Sequence, residues 1–312
     1  MPSQNNGMSR VERIGFRWVL AAGVAIAALM PPAFGHETVM LRHVHGLGYS
    51  PDGRRIIIPN HQGLSIYDGG RWSKMPGPAH DFMGFAVTRK FIFSSGHVAP
   101  GGGRGASLGL IRSQDGGRSW TSLGFEGEAE FHLVAAGYES DALYVHNPAP
   151  NSRMPRSGLY RMAPEGVAWR GAEARGMRGE LYKLAAHPTD EATIAAVTSE
   201  GLFWSRNGGD EFRPLIEGAE VRTAYFPLDG DSLWFGTFDG RPALFRLALA
   251  DGARDEIGLP PIGRDLVAYV AQNPVRRAEF AMVTFERAVF LSPDRGKTWT
   301  RIARARGARA ER

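Results

Sequence analysis

Ser113-Gln114-Asp115-Gly116-Gly117-Arg118-Ser119-Trp120 and, near the C-terminus, Ser292-Pro293-Asp294-Arg295-Gly296-Lys297-Thr298-Trp299 read S-x-D-x-G-x-[ST]-W twice. In such a turn the Asp carboxylate accepts backbone N–H groups and Gly supplies a positive φ. The Trp then opens the following strand by burying a large ring. Degenerate relatives stand at Tyr67-Asp68-Gly69-Gly70-Arg71-Trp72 and at Ser205-Arg206-Asn207-Gly208-Gly209-Asp210-Glu211-Phe212. Each follows a short apolar run, so the turn is a repeated hairpin before it is anything else.

Working outward, the apolar runs align on Leu64, Leu110, Leu159, Leu202, Leu244 and Val289, at intervals of 46, 49, 43, 42 and 45. A period of 40 to 50 residues carrying several strands is the signature of a β-propeller. The fourth unit shows its four strands most plainly, at Leu181 to Ala186, Thr193 to Val197, Leu202 to Ser205 and Phe212 to Ile216. The units start near His43, His80, Glu130, Glu180, Glu220 and Asp265. The fold class is all-β, a six-bladed propeller. Seven blades is the alternative, because His36 to Arg42 could add a strand.

The repeats resemble the Asp-box (bacterial neuraminidase repeat) propellers, which include sialidases and sortilin-type receptors. Further stretches, among them His43-Val44-His45-Gly46-Leu47-Gly48-Tyr49, His80-Asp81-Phe82-Met83-Gly84-Phe85 and Ser94-Ser95-Gly96-His97, are similar to exported bacterial proteins labelled glycosyl-hydrolase-like. A fold of this kind hosts many functions. Sialidase chemistry calls for a Phe/Tyr-Arg-Ile-Pro stretch and three matched arginines, and the chain has neither.

Composition bounds the compartment. Arg10, Arg13 and Arg17 precede an uncharged run from Trp18 to Gly35 whose apolar part is shorter than the ~20 residues of a membrane span. Residues 1–35 therefore read as a signal peptide, with Ala33-Phe34-Gly35 before the cleavage point. An uncleaved anchor is the alternative. The expected product is a periplasmic or secreted propeller over 36–303, with no stable membrane span after cleavage and a basic, solvated tail over 304–312. With no Cys, the core holds it together without disulfides. The net charge of +5 comes from the two ends, which carry eight Arg against Glu12 and Glu311. The body is close to neutral and nothing in it favours nucleic acid.

In a propeller the innermost strand of each blade lines the channel. The loops entering that strand and joining strands two and three open on one face. Two residues before each expected inner strand stand His43, Asp81, Glu130, Glu180, Glu220 and Asp265. The expected strand starts include His45 and His132, and the loops between strands two and three add His61, His97 and His146. With His80, seven of the nine histidines map to this face, His36 and His187 being the others. Imidazole and carboxylate together suit a transition metal such as Cu or Zn. The candidate metal ligands are His43, His45, His97 and His132, with Asp81 and Glu130 beside them. A mature N-terminal His36 is a second, separate copper chelator.

Asp81 and Glu130, on neighbouring blades, are also the pair for a glycoside hydrolase, a general acid and a second carboxylate being its minimum apparatus. Glu180, Glu220, Asp265 and His146 complete the ligand-binding set. A non-catalytic scaffold for a protein or glycan is the third reading. Two insertions, Gly96 to Ser107 and His146 to Arg156, are read either as a lid over the channel or as tolerated surface insertions. Trp120, Trp169 and Trp299 read as packing groups rather than sugar platforms.

Overall fold

The computed structural model describes residues 41–99, 106–162 and 168–304. The expected signal peptide, the candidate His36, the glycine-rich part of the first insertion and residues 305–312 of the expected basic tail lie outside the described residues. Every described element is a β-strand, and the strands form six four-stranded antiparallel sheets. The blade count is six. Each blade uses four strands consecutive in the chain: blade 1, for example, comprises Gly48–Tyr49, Arg55–Asn60, Gly63–Asp68 and Arg71–Lys74.

The second strands explain why the hydrophobic pattern is continuous rather than alternating. A strand presents successive side chains to opposite faces, and inside a propeller both faces meet a neighbouring blade. In Ile194–Thr198 of blade 4, Ile194 and Ala196 pack in the core shared with blade 3. Ala195 and Val197 pack in the core shared with blade 5. In blade 1, Ile57 faces blade 2 while Ile56 and Ile58 face blade 6. Six buried clusters result, one per blade interface.

The ring closes where blade 6 meets blade 1. Leu41, Tyr49 and Trp72 share a core with Ala281, Val289, Ile302 and Ala303. Trp72 Nε1 donates to Ile302 O at 2.9 Å and Asn273 Nδ2 to Gly53 O at 2.8 Å. A buried large apolar side chain contributes roughly 1.5–3 kcal/mol, against about 1 kcal/mol net for a hydrogen bond. Packing therefore carries the closure. Among the described residues no strand is exchanged between the first and last blades.

The repeated turns join strands three and four of their blades, on the side away from the inner-strand starts. Ser113 Oγ accepts the Gly117 N–H at 2.8 Å and donates to Asp115 Oδ1 at 2.8 Å, and Asp115 Oδ1 accepts the Ser119 N–H at 2.9 Å. The same three bonds recur from Ser292 and Asp294 and, with Asn in place of Asp, from Ser205 and Asn207. Gly117 and Gly296 sit at φ 96° and 81°, which is why the turn requires glycine there. The indoles pack as expected: Trp120 lies 5.0 Å from Phe82, and Trp299 Nε1 donates to Gly258 O at 2.9 Å.

Candidate functional site

Blades 1, 2 and 3 assemble a line of imidazoles and carboxylates at the channel mouth. His43 and His45 lie in the segment leading to the two-residue inner strand of blade 1, so both precede that strand rather than starting it. His45 is held there by its N–H, which donates to Pro59 O at 3.2 Å. His43 takes φ 49°, a region that non-glycine residues seldom adopt. Its ring stands 4.5 Å from that of His61, which comes from the tight turn between Asn60 and Gly63.

His61 is the centre of this group. Its Nε2 lies 3.0 Å from His45 Nε2, and its Nδ1 lies 3.0 Å from Asp81 Oδ2, at the start of the inner strand of blade 2. One nitrogen or oxygen from each of His45, His61 and Asp81 falls within 4.8 Å of the others, close enough for one ion. The other oxygen, Asp81 Oδ1, is buried and has no hydrogen-bond partner. Burial, reinforced by the neighbouring His61, His132, His43 and Lys183, pushes the His45 imidazole down to about 4. At neutral pH the ring is therefore uncharged, with one nitrogen carrying a lone pair for a metal or a shared proton.

Asp81 pairs in register with His97 across the first two strands of blade 2, and His97 continues the line into blade 3. Glu130 stands between two imidazoles, with Oε2 2.9 Å from His97 Nε2 and Oε1 2.8 Å from His132 Nε2. His132, like His45, precedes its inner strand, Val134–Ala136. The four expected metal ligands thus fall into two groups, His43 and His45 around His61, and His97 and His132 around Glu130. His61 was recognisable from sequence as a residue of this face. Its central position was not, because it depends on how the blade 1 turn meets the next blade.

The remaining candidates lie elsewhere on the rim. Glu220 is paired with Arg222 at 2.7 Å, and Glu180 is exposed. Asp265 Oδ1 accepts the N–H groups of Leu266 and Glu286 at 2.8 and 3.0 Å, which gives it a turn to hold. His146 is partly buried on the second strand of blade 3, and burial lowers its pKa. His80 accepts the Ala99 N–H on Nδ1 at 3.0 Å. The second insertion is pinned: Asn147 Nδ2 donates to Arg156 O at 2.8 Å and Met154 is fully buried in the core between blades 2 and 3. His187, away from this face, has a structural role, with Nε2 donating to Gly230 O at 2.9 Å and Nδ1 accepting from Asp190 N–H at 3.0 Å.

Below the mouth runs a channel of about 170 Å³ lined by the inner strands of all six blades. Four of those strands carry a register shift near their start, between Phe82 and Phe85, Leu181 and Lys183, Val221 and Thr223, and Val267 and Tyr269. Such a bulge re-aims the side chain that follows it. Phe85, Lys183, Thr223 and Tyr269 all line the channel.

No known family's sequence profile matches the chain, and no curated protein matches it. Solved structures do. The chain is similar to a GH74 enzyme from Niastella koreensis, at 16% identity and TM-score 0.56, over 83% of this chain and 45% of that one. It is similar to the GH74 xyloglucanase from Xanthomonas campestris, at 16% identity and TM-score 0.53 over the same shares. It is similar also to YCF48 bound to a D1 peptide, at 17% identity and TM-score 0.50, over 86% of each chain. The chain spans less than half the length of the two GH74 enzymes. At these identities the likeness shows the propeller fold alone.

Proposed function

We propose that the channel mouth binds a transition metal ion, copper or zinc, through His45 and His61, in a protein exported by its N-terminal segment. The observation that carries this reading is the convergence of His45, His61 and Asp81 within 4.8 Å. Two Nε2 atoms 3.0 Å apart can both stand about 2.0–2.1 Å from one ion. Asp81 then accepts the Nδ1 proton of His61, the arrangement by which a carboxylate fixes the tautomer of a ligating imidazole. His43, whose ring abuts His61, is the next available donor, and solvent completes the set.

Metal analysis of protein purified from its native compartment, followed by calorimetric titration with Zn²⁺ and Cu²⁺, tests this. One equivalent of metal is expected, with affinity lost in His45→Ala and His61→Ala. A metal-free protein that takes up neither ion, or variants that bind as the wild type does, overturns it. The export half is tested by the N-terminal sequence of the native protein, expected to begin at His36.

A glycoside-hydrolase reading would use Asp81 and Glu130. Glu130 Oε2 lies 2.9 Å from His97 Nε2 and Oε1 2.8 Å from His132 Nε2, although Oε1 has no hydrogen-bond partner, and Asp81 Oδ2 lies 3.0 Å from His61. That arrangement suits carboxylates that orient histidines better than a free general acid. The neighbours named as GH74 enzymes and as a peptide-bound propeller support a glycan or protein ligand on this face as the reading left standing if the metal titrations fail.

A further inference from the structure

The channel beneath the mouth differs from it in chemistry. Its lining includes no Asp or Glu and one fixed cation, Lys183, among the described residues. Lys183 lies on the inner strand of blade 4, and its Nζ reaches past blade 5 to blade 6. There it donates to Ala268 O at 2.6 Å and sits 3.3 Å from the centre of the Tyr269 ring. A carbonyl and a π face steady an ammonium but do not neutralise it. An ammonium has three N–H groups; Ala268 O takes one and the Tyr269 ring faces another, leaving one for the channel.

The surroundings are those of a ligand site. Tyr182, Tyr225 and Tyr269 bring phenol groups to the lining, while Leu47, Val87 and Val134 supply apolar wall. Tyr225 Oη accepts the Gln272 N–H at 3.0 Å, which leaves its own proton to donate. A cavity that is mostly apolar with a few convergent polar groups is the usual form of a small-molecule site.

We propose that the channel binds a small organic carboxylate, with its anionic end on Lys183 and its hydrocarbon part against the aliphatic wall. Burial pushes the Lys183 amine down to about 7, as befits a cation that lacks a counter-charge. An arriving carboxylate supplies that charge. Inorganic phosphate is the poorer fit, because no arginine lines the channel to grip its several oxygens in a fork. None of its anchoring atoms belongs to His45, His61 or Asp81, but His45 and Lys183 interact electrostatically at the mouth, so the site is tested with the metal removed.

The test uses the full chain in the presence of EDTA, so that an ion at the mouth cannot supply the binding. Butyrate and inorganic phosphate are titrated by calorimetry and by saturation-transfer NMR. Butyrate is expected to bind the wild type and phosphate is not. Lys183→Met, checked for native circular dichroism, is expected to lose at least tenfold in butyrate affinity. A second measurement needs no variant: butyrate slows reductive methylation of Lys183 by formaldehyde and cyanoborohydride, the hydride donor that reduces the imine, several-fold, read by peptide mass spectrometry, and phosphate does not. Absence of butyrate binding, equal affinity in Lys183→Met, or methylation of Lys183 at an unchanged rate overturns the proposal. Phosphate binding as strong as butyrate's overturns the choice of carboxylate.

Discussion

His61 Nδ1 lies 3.0 Å from Asp81 Oδ2, a contact made between the turn of one blade and the inner strand of the next. A carboxylate there favours the tautomer with its proton on Nδ1, which would leave the Nε2 lone pair facing His45. Asp81→Asn keeps the shape and replaces the acceptor charge by a dipole. Loss of such a carboxylate partner typically costs 10- to 100-fold in metal affinity. Zn²⁺ or Cu²⁺ affinity, measured by competition with a chelator, is expected to fall by that factor, and to fall further in His61→Ala.

Lys183 makes stability depend on pH in a stated direction. Its folded-state value of about 7 lies below the ordinary 10.5, so between these values the unfolded chain holds more protons. Burying the charge costs stability in full below pH 7, and stability rises as pH climbs from 7 towards 10.5. The titratable groups that share its channel are Tyr49, Tyr138, Tyr182, Tyr225, Tyr269, His45 and His132. Lys183→Met is therefore expected to be more stable than the wild type at pH 6 by about 1–3 kcal/mol. That is less than the full shift at ~1.4 kcal/mol per unit, because the variant also loses the Ala268 and Tyr269 contacts. Urea titrations at pH 6 and pH 10 should show the advantage shrinking at the higher pH.

Ser113→Ala removes the acceptor of the buried Gly117 N–H, and Ser292→Ala does the same to Gly296. An orphaned buried donor costs about 1–3 kcal/mol. Each variant is expected to lower the urea midpoint accordingly. Ser119→Ala, whose hydroxyl meets Asp115 at the exposed end of the turn, is expected to cost less.

Trp72→Phe tests the closure. The change deletes the N–H that Ile302 O accepts and part of the ring volume in the core shared by blades 1 and 6. A loss of about 1–3 kcal/mol is expected from the two effects together. Hydrogen exchange should quicken first in the strands Arg71–Lys74 and Thr300–Ala303, with the interface between blades 3 and 4 unaffected.

The architecture was legible because it is periodic. Leu64, Leu110, Leu159, Leu202, Leu244 and Val289 count the blades, and each repeated turn marks a hairpin whatever its neighbours do. The side of the disc that carries the imidazoles was legible for the same reason. The grouping was not. His61 meets Asp81 through the geometry between blades, and His97 meets Glu130 likewise. Lys183 was invisible for a different cause. In Leu181-Tyr182-Lys183-Leu184 it reads as an ordinary polar strand residue, and its inward aim follows a bulge that leaves no mark in a single sequence.

Because each blade is completed by strands that follow one another in the chain, the ring has no privileged first blade. Leu41 and Ala303 lie in the same core, so the described propeller starts and finishes at one boundary between blades. A short linker across that boundary and a new break between blades 3 and 4 would permute the chain circularly without cutting a sheet. By the same reasoning, duplication or deletion of one repeat length leaves every remaining four-stranded sheet uncut, so the fold can be edited in whole blades.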